Sequence, residues 1–401
     1  MRTCLVFAAV ALAVLFCAAP ARADRDEGGQ AAVKLIRTIP VPGLVVFDIS
    51  FVDAATETYF LADRSNQTID VIDARRDVLV RQIKGGFKGF TGNNDTSGPN
   101  GVVVSGRFLF VTDAPSRIVT IDLRTDRIVS EVSTGGAPGL RADEAAFDPV
   151  DNVLIAVNNA DSPPFATLVK VDPGTGALSV MTRITFDNAT NGAEQPQFNP
   201  ATGKFYLSIP ELDGIAANGA VAVISPRGVL ERLLPVKLCQ PAGLSLGPRN
   251  DMLLGCSVVF DTAGNPFTAG DPAAAAPSQI IMDANGAIDA VVAGVGGSDE
   301  VWFNSGDGRF YTASRNNPVA PVLGVIDART QSLVQVTPTF NTPLTAPAPR
   351  GTAHSVAVNA RNNHIFVPLP PNNVLAAPAN DPAANCLKGC IAVFAASADR
   401  D

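Results

Sequence analysis

Seven copies of a strand, a tight polar turn and a second strand recur at spacings of 43 to 57 residues, with no helical 3.6-residue pattern beside them. A repeat of this size built from strands and turns predicts an all-β chain, a seven-bladed β-propeller with four-stranded antiparallel blades. The copies align on seven heads: Asp48, Asn100, Asp143, Glu194, Ala242, Asp299 and His354. Each head opens a short apolar run, then a turn such as NPATGK or NSGDGR, then a second run in which Phe, Tyr, Val or Leu alternate.

The outer strands of a blade are legible in three copies. They are 68 to 74 and 78 to 84 in the first, 117 to 123 and 127 to 133 in the second, and 322 to 328 and 332 to 338 in the sixth. The seventh copy supplies three strands before the chain ends. Its fourth is expected to be 33 to 41, ahead of blade one, which closes the ring and removes an exposed sheet edge. Three irregular stretches, 85 to 99, 260 to 277 and 368 to 384, are rich in Gly, Asn, Pro or Ala and read as surface loops. Residues 24 to 401 are therefore expected to form a single propeller domain.

Residues 1 to 23 read differently. Arg2 precedes an apolar stretch from Leu5 to Ala19, and Ala21-Arg22-Ala23 supplies a small-x-small cleavage site. This is the pattern of a secretory signal peptide, and the apolar run is short of the ~20 residues a membrane span needs. The expected location is periplasmic or secreted. Without those residues the chain has 28 basic and 38 acidic side chains. That balance repels phosphate backbones and anionic headgroups, so nucleic acid and membrane surfaces are not expected partners. A monomer with a small-molecule ligand, or a protein partner on the loop face, is expected instead. Four cysteines remain, and their placement suggests two local disulfides, Cys239 with Cys256 and Cys386 with Cys390.

The first strand of each propeller blade lines the central channel, so the seven heads should converge on one funnel. Asp48, Asp143, Glu194 and Asp299 bring carboxyl groups, Asn100 an amide and His354 an imidazole; Glu144, Gln195, Glu300 and Ser355 follow one residue later. Crowded carboxylates cannot all remain ionised without a counter-charge, so either some take up protons or a cation sits among them. Oxygen-rich ligands favour calcium as that cation, with Asp48, Asn100, Glu194 and Asp299 as its candidate ligands. Asp143, Glu300 and His354 are the candidate proton-transfer groups. Polar residues at strand starts also commonly satisfy loop backbone groups or hold ordered water. His354 is left open among a metal ligand, a general base and a hydrogen-bonded channel residue; His364 starts the second strand of its hairpin and reads as a surface residue. No GxSxG elbow, HExxH helix, phosphate loop or CxxCH haem motif occurs.

Two resemblances follow from the motifs. The stretch GPNGVVVSGRFLFVTDAPSRIVTIDLRTDRIVSEVSTGGAP (98 to 138), with VIDARRDVLVRQIKGG and GVIDARTQSLVQV, resembles YVTN-type propeller repeats, a likeness that implies the fold. Pro99-Asn100-Gly101 with Val111-Thr112-Asp113 is similar to the gluconolactonase-like calcium-dependent lactonases and esterases. That similarity implies Asn100 as a metal ligand and a metal-dependent hydrolysis. The chain departs from that family in lacking its Glu-x-Pro-x-Trp signature and in having seven repeats where six are typical. A non-catalytic binding or scaffold propeller is the competing expectation.

Overall fold

The computed structural model describes residues 32–267, 276–318, 320–339, 354–371, 373–374, 385–386 and 388–396. The leader expected at 1 to 23 lies outside them, as do parts of the loops at 260 to 277 and 368 to 384.

Seven four-stranded antiparallel sheets form the fold, six of them built from four consecutive strands. The seventh has the order Val33–Pro40, Cys390–Ala396, His364–Leu369, Ala357–Asn359, so the N-terminal strand is its outermost member. Val33 pairs with Ala396 and Pro40 with Cys390, which closes the ring as the sequence implied. The strands read in the outer halves of the first, second and sixth copies end within a residue of the observed limits.

Burial explains the periodicity. In each blade the two middle strands are nearly all buried, while an outer strand such as Arg127–Ser133 alternates exposed and half-buried positions. Hydrophobic clusters lie between neighbouring blades at all seven seams; one joins Tyr59, Leu61 and Ile72 of blade one to Phe366, Ile391 and Val393 of blade seven. Every blade also has one register shift where its outermost strand pairs with the next. A bulge there adds twist and spoils the flat edge that another chain could otherwise extend.

Blade five differs from its sequence reading. Its first strand runs Cys239–Leu246, so Ala242 sits inside the strand and not at its head, and Cys256 lies within Asp251–Val259. The pairing slips on both sides of Pro241, which lengthens this strand locally. Cys239 and Cys256 are nonetheless bonded, with Cα atoms 5.3 Å apart, as are Cys386 and Cys390 at 5.0 Å. His364 is half-buried and hydrogen-bonds Asp77 across the seam between blades seven and one, 3.0 Å away.

Candidate functional site: a buried charge array at one mouth of the channel

The heads do meet around the axis. Backbone hydrogen bonds pass between neighbouring first strands, from Ile49 N to Asn100 O, from Gly101 N to Asp143 O and from Gln195 N to Ala242 O. Two glycines make such approaches feasible. A Cβ at Gly101 would lie 2.6 Å from Asp143 O, and one at Gly243 would lie 2.1 Å from Asp299 O. The glycine of the Pro-Asn-Gly motif thus has a packing reason of its own.

Three arginines that the sequence reading overlooked organise the site. Arg64, 1% exposed, donates from Nε to Asn100 Oδ1 at 3.0 Å and from Nη2 to the same oxygen at 2.7 Å, while Nη2 also pairs with Asp48. Arg141 bridges Asp48 and Asp143, at 3.2 and 2.7 Å. Arg315 pairs with Asp299 at 2.9 Å and donates to His354 Nδ1 at 3.0 Å. The signal was available, because Arg64 and Arg315 each stand sixteen residues after a head, at the end of the second strand of their hairpins. An antiparallel partner of the head strand returns to the same mouth, so that position belongs to the funnel as much as the head does.

The contact with Arg315 settles the state of His354. A guanidinium only donates, so Nδ1 must accept, and the ring proton resides on Nε2. From there it faces Asp48 Oδ1 and Asp299 Oδ2, each at 3.2 Å. Of the three roles left open for His354, the hydrogen-bonded channel residue matches this geometry. Both ring nitrogens are in use.

The carboxyl groups fall into two sets. Burial acts to raise Asp48, but Arg64, His354 and Arg141 together outweigh it and hold this carboxyl well below the usual range. For Asp143 the balance reverses: burial outweighs Arg141, and the carboxyl is pushed up to about 7. Burial, with Asp143 and Asp299 nearby, raises Glu194 to about 8. Glu144 and Glu300 are buried and lifted well above the ordinary value by desolvation first, with Glu300 acting on Glu144 and Asp299 on Glu300. Proton uptake and arginine pairing together thus answer the crowding of charge.

The expected calcium ligands do not form a set suited to one ion. Asn100 spends Oδ1 on Arg64 and its amide N–H on Ala142 O, and both Asp48 oxygens face Arg64, Arg141 or His354. Among the described residues, no three His, Cys, Asp or Glu side chains are placed to hold a metal. Glu194 and Asp299 remain open to the funnel.

A cavity of about 170 Å³ lies at the centre, walled by Asp143, Glu144, Glu194, Ala242, Asp299 and Arg315 among others. It adjoins a wider one of about 620 Å³, whose wall includes Val45, Phe90, Asn94, Arg315 and His354. Ser355, just ahead of the strand Ala357–Asn359, is engaged elsewhere than His354: its hydroxyl meets Ser50 Oγ at 2.8 Å.

No known family profile matches the chain, and no curated protein matches it either. Solved structures do: among 1511 matching chains is Kuenenia stuttgartiensis hydrazine synthase, with a TM-score of 0.61 and 12% identity over 82% of this chain and 92% of that one. At that identity the likeness shows the fold alone, and a propeller shared so widely carries no activity with it. Among the described residues no helix is long and apolar enough to cross a membrane.

Proposed function

We propose that this chain is an exported binding propeller whose central funnel takes a small polar solute. The observation that carries this reading is the array of buried Arg64 and Arg141 and half-buried Arg315 among six acidic side chains, opening onto a 170 Å³ cavity. Buried ion pairs give little net stability once desolvation is counted, so their concentration at one mouth speaks for recognition more than for folding. Two disulfides and the leader-like N-terminus support export. The arginines supply the positive charge that the sequence assigned to a divalent cation.

Thermal unfolding with millimolar sugars, amino acids, amines, organic acids or calcium, and with a chelator, tests this. A ligand that binds only the folded chain raises stability by about 2.7 kcal/mol at a hundred times its Kd. If no solute moves the midpoint, the funnel is not a binding site. If the chelator alone lowers it, a metal sits in the protein and the arginine reading is wrong.

One observation favours a hydrolytic version. Asp143 borders the cavity with a carboxyl near neutrality, which suits a proton acceptor for water. If turnover of simple lactones or aryl esters is found, Asp143→Asn should reduce it by about 100-fold. An unchanged rate would remove Asp143 from the reaction.

A further inference from the structure

The funnel's charges are unevenly distributed, and the unevenness identifies the ligand. Arg64 comes from blade one, Arg141 precedes the first strand of blade three, and Arg315 follows the second strand of blade six. Asp48, Asp143 and Asp299 each have a guanidinium within ion-pair distance. Glu194 does not: among the described residues its carboxyl makes no ion pair and no hydrogen bond, although it borders the central cavity. Glu144, 6% exposed and on the same cavity, also has no basic partner in contact. Asp299 uses Oδ2 for Arg315 and His354 and leaves Oδ1 free.

The apolar member of the ring stands beside this unpaired acid. Ala242 accepts a backbone hydrogen bond from Gln195 and places a methyl group where the other six blades place Asp, Asn, Glu or His. The gap it leaves belongs to the 170 Å³ cavity, room for about five or six waters at ~30 Å³ each. The cavity wall contains no Phe, Tyr or Trp ring, and its one imidazole, His354, already meets Arg315, Asp48 and Asp299. A quaternary ammonium is usually held by aromatic faces, whereas a primary ammonium is held by carboxylates that accept its three N–H donors.

We infer that the funnel's ligand carries a primary ammonium group, seated beside Ala242 with Glu194 and Asp299 as its acceptors. This rests on the reading of the funnel as a small-solute site and names the chemistry of that solute. The incoming nitrogen supplies a counter-charge in direct contact with Glu194, which Arg141 and Arg315 do not reach. A proton must leave for the pair to form, because the Glu194 carboxyl is raised to about 8 by burial, Asp143 and Asp299, against Arg141 and Arg315, with Glu144 close by. The carboxyl is protonated below that value, so affinity falls as pH drops from 8 towards 6, by up to about ten-fold per unit.

Titration calorimetry of the full chain separates the possibilities, with ethanolamine as the amine, ethylene glycol as its uncharged counterpart, and calcium chloride as the metal. Ethanolamine should bind, with heats that depend on the buffer's ionisation enthalpy, and ethylene glycol should not. Glu194→Gln should weaken ethanolamine at least ten-fold. Ala242→Leu should block the gap without altering any charge, and circular dichroism reports whether each variant is folded. Binding of ethylene glycol or calcium in preference to ethanolamine would overturn the amine and leave the funnel as a site for another solute. Absence of ethanolamine binding at 50 mM, or full binding by Glu194→Gln, would overturn the inference as well.

Discussion

The two mouths of the central channel are made by the same inner strands and have opposite chemistry. At the funnel, at or two residues ahead of the strand starts, stand Asp48, Asp143, Glu194 and Asp299, locked to arginines or holding protons. Three or four residues further on, roughly 10 to 13 Å at the usual rise per residue, the same strands present Phe51, Phe147, Phe198 and Trp302 around a second cavity of about 220 Å³. Phe51 meets Trp302 edge-on at 5.8 Å, and Phe147 stacks on Phe110 at 5.4 Å. Glu144 borders both cavities and marks the divide. The contrast separates two kinds of burial. Apolar burial at one mouth favours folding directly, whereas charge burial at the other is tolerated only because each group has a partner or a proton.

That difference can be broken by substitution. The largest effect is expected from Arg64→Ala at the charged mouth, which leaves Asp48 with fewer partners and Asn100 Oδ1 with none of its present donors. Removing one member of a buried pair costs about 3–5 kcal/mol, readable as a lower urea midpoint. A loss under 1 kcal/mol would mean that water reaches Asp48 freely. At the apolar mouth, Phe147→Ala should cost about 2 kcal/mol, less than a fully buried aromatic because the ring is half-buried. It should leave solute binding unchanged; altered binding would show that the two mouths are coupled through Glu144. The smallest effect belongs to the waist between them, where Ser355→Ala removes the acceptor of Ser50 N at 2.9 Å and the hydroxyl contact beside it. About 1 kcal/mol is expected, and a wild-type midpoint would mean that water replaces the hydroxyl.

How much of this could be read beforehand differs between fold and site. The blade count, the outer strands near 68 to 84 and 117 to 133, and closure by Val33–Pro40 follow from local hydrophobic alternation and turn chemistry, which leave a direct trace in sequence. The heads were found because the repeat fixes their register. Their partners were not, since Arg64, Arg141 and Arg315 lie outside the head positions and look like ordinary charged residues at strand ends. Ala242 illustrates the limit most plainly: slippage around Pro241 moved it from the head of a strand into its interior, and its small size matters only because Glu194 stands next to it.

Sequence by itself determined the architecture of this protein, because alternation with period two and a regular succession of turns leave an all-β ring as the consistent arrangement. Which acids are ionised, which nitrogen of His354 carries its proton and where the gap in the ring lies were decided only by tertiary structure. Charge interactions depend on distance and burial between residues remote in the chain, and neither quantity is written in their spacing.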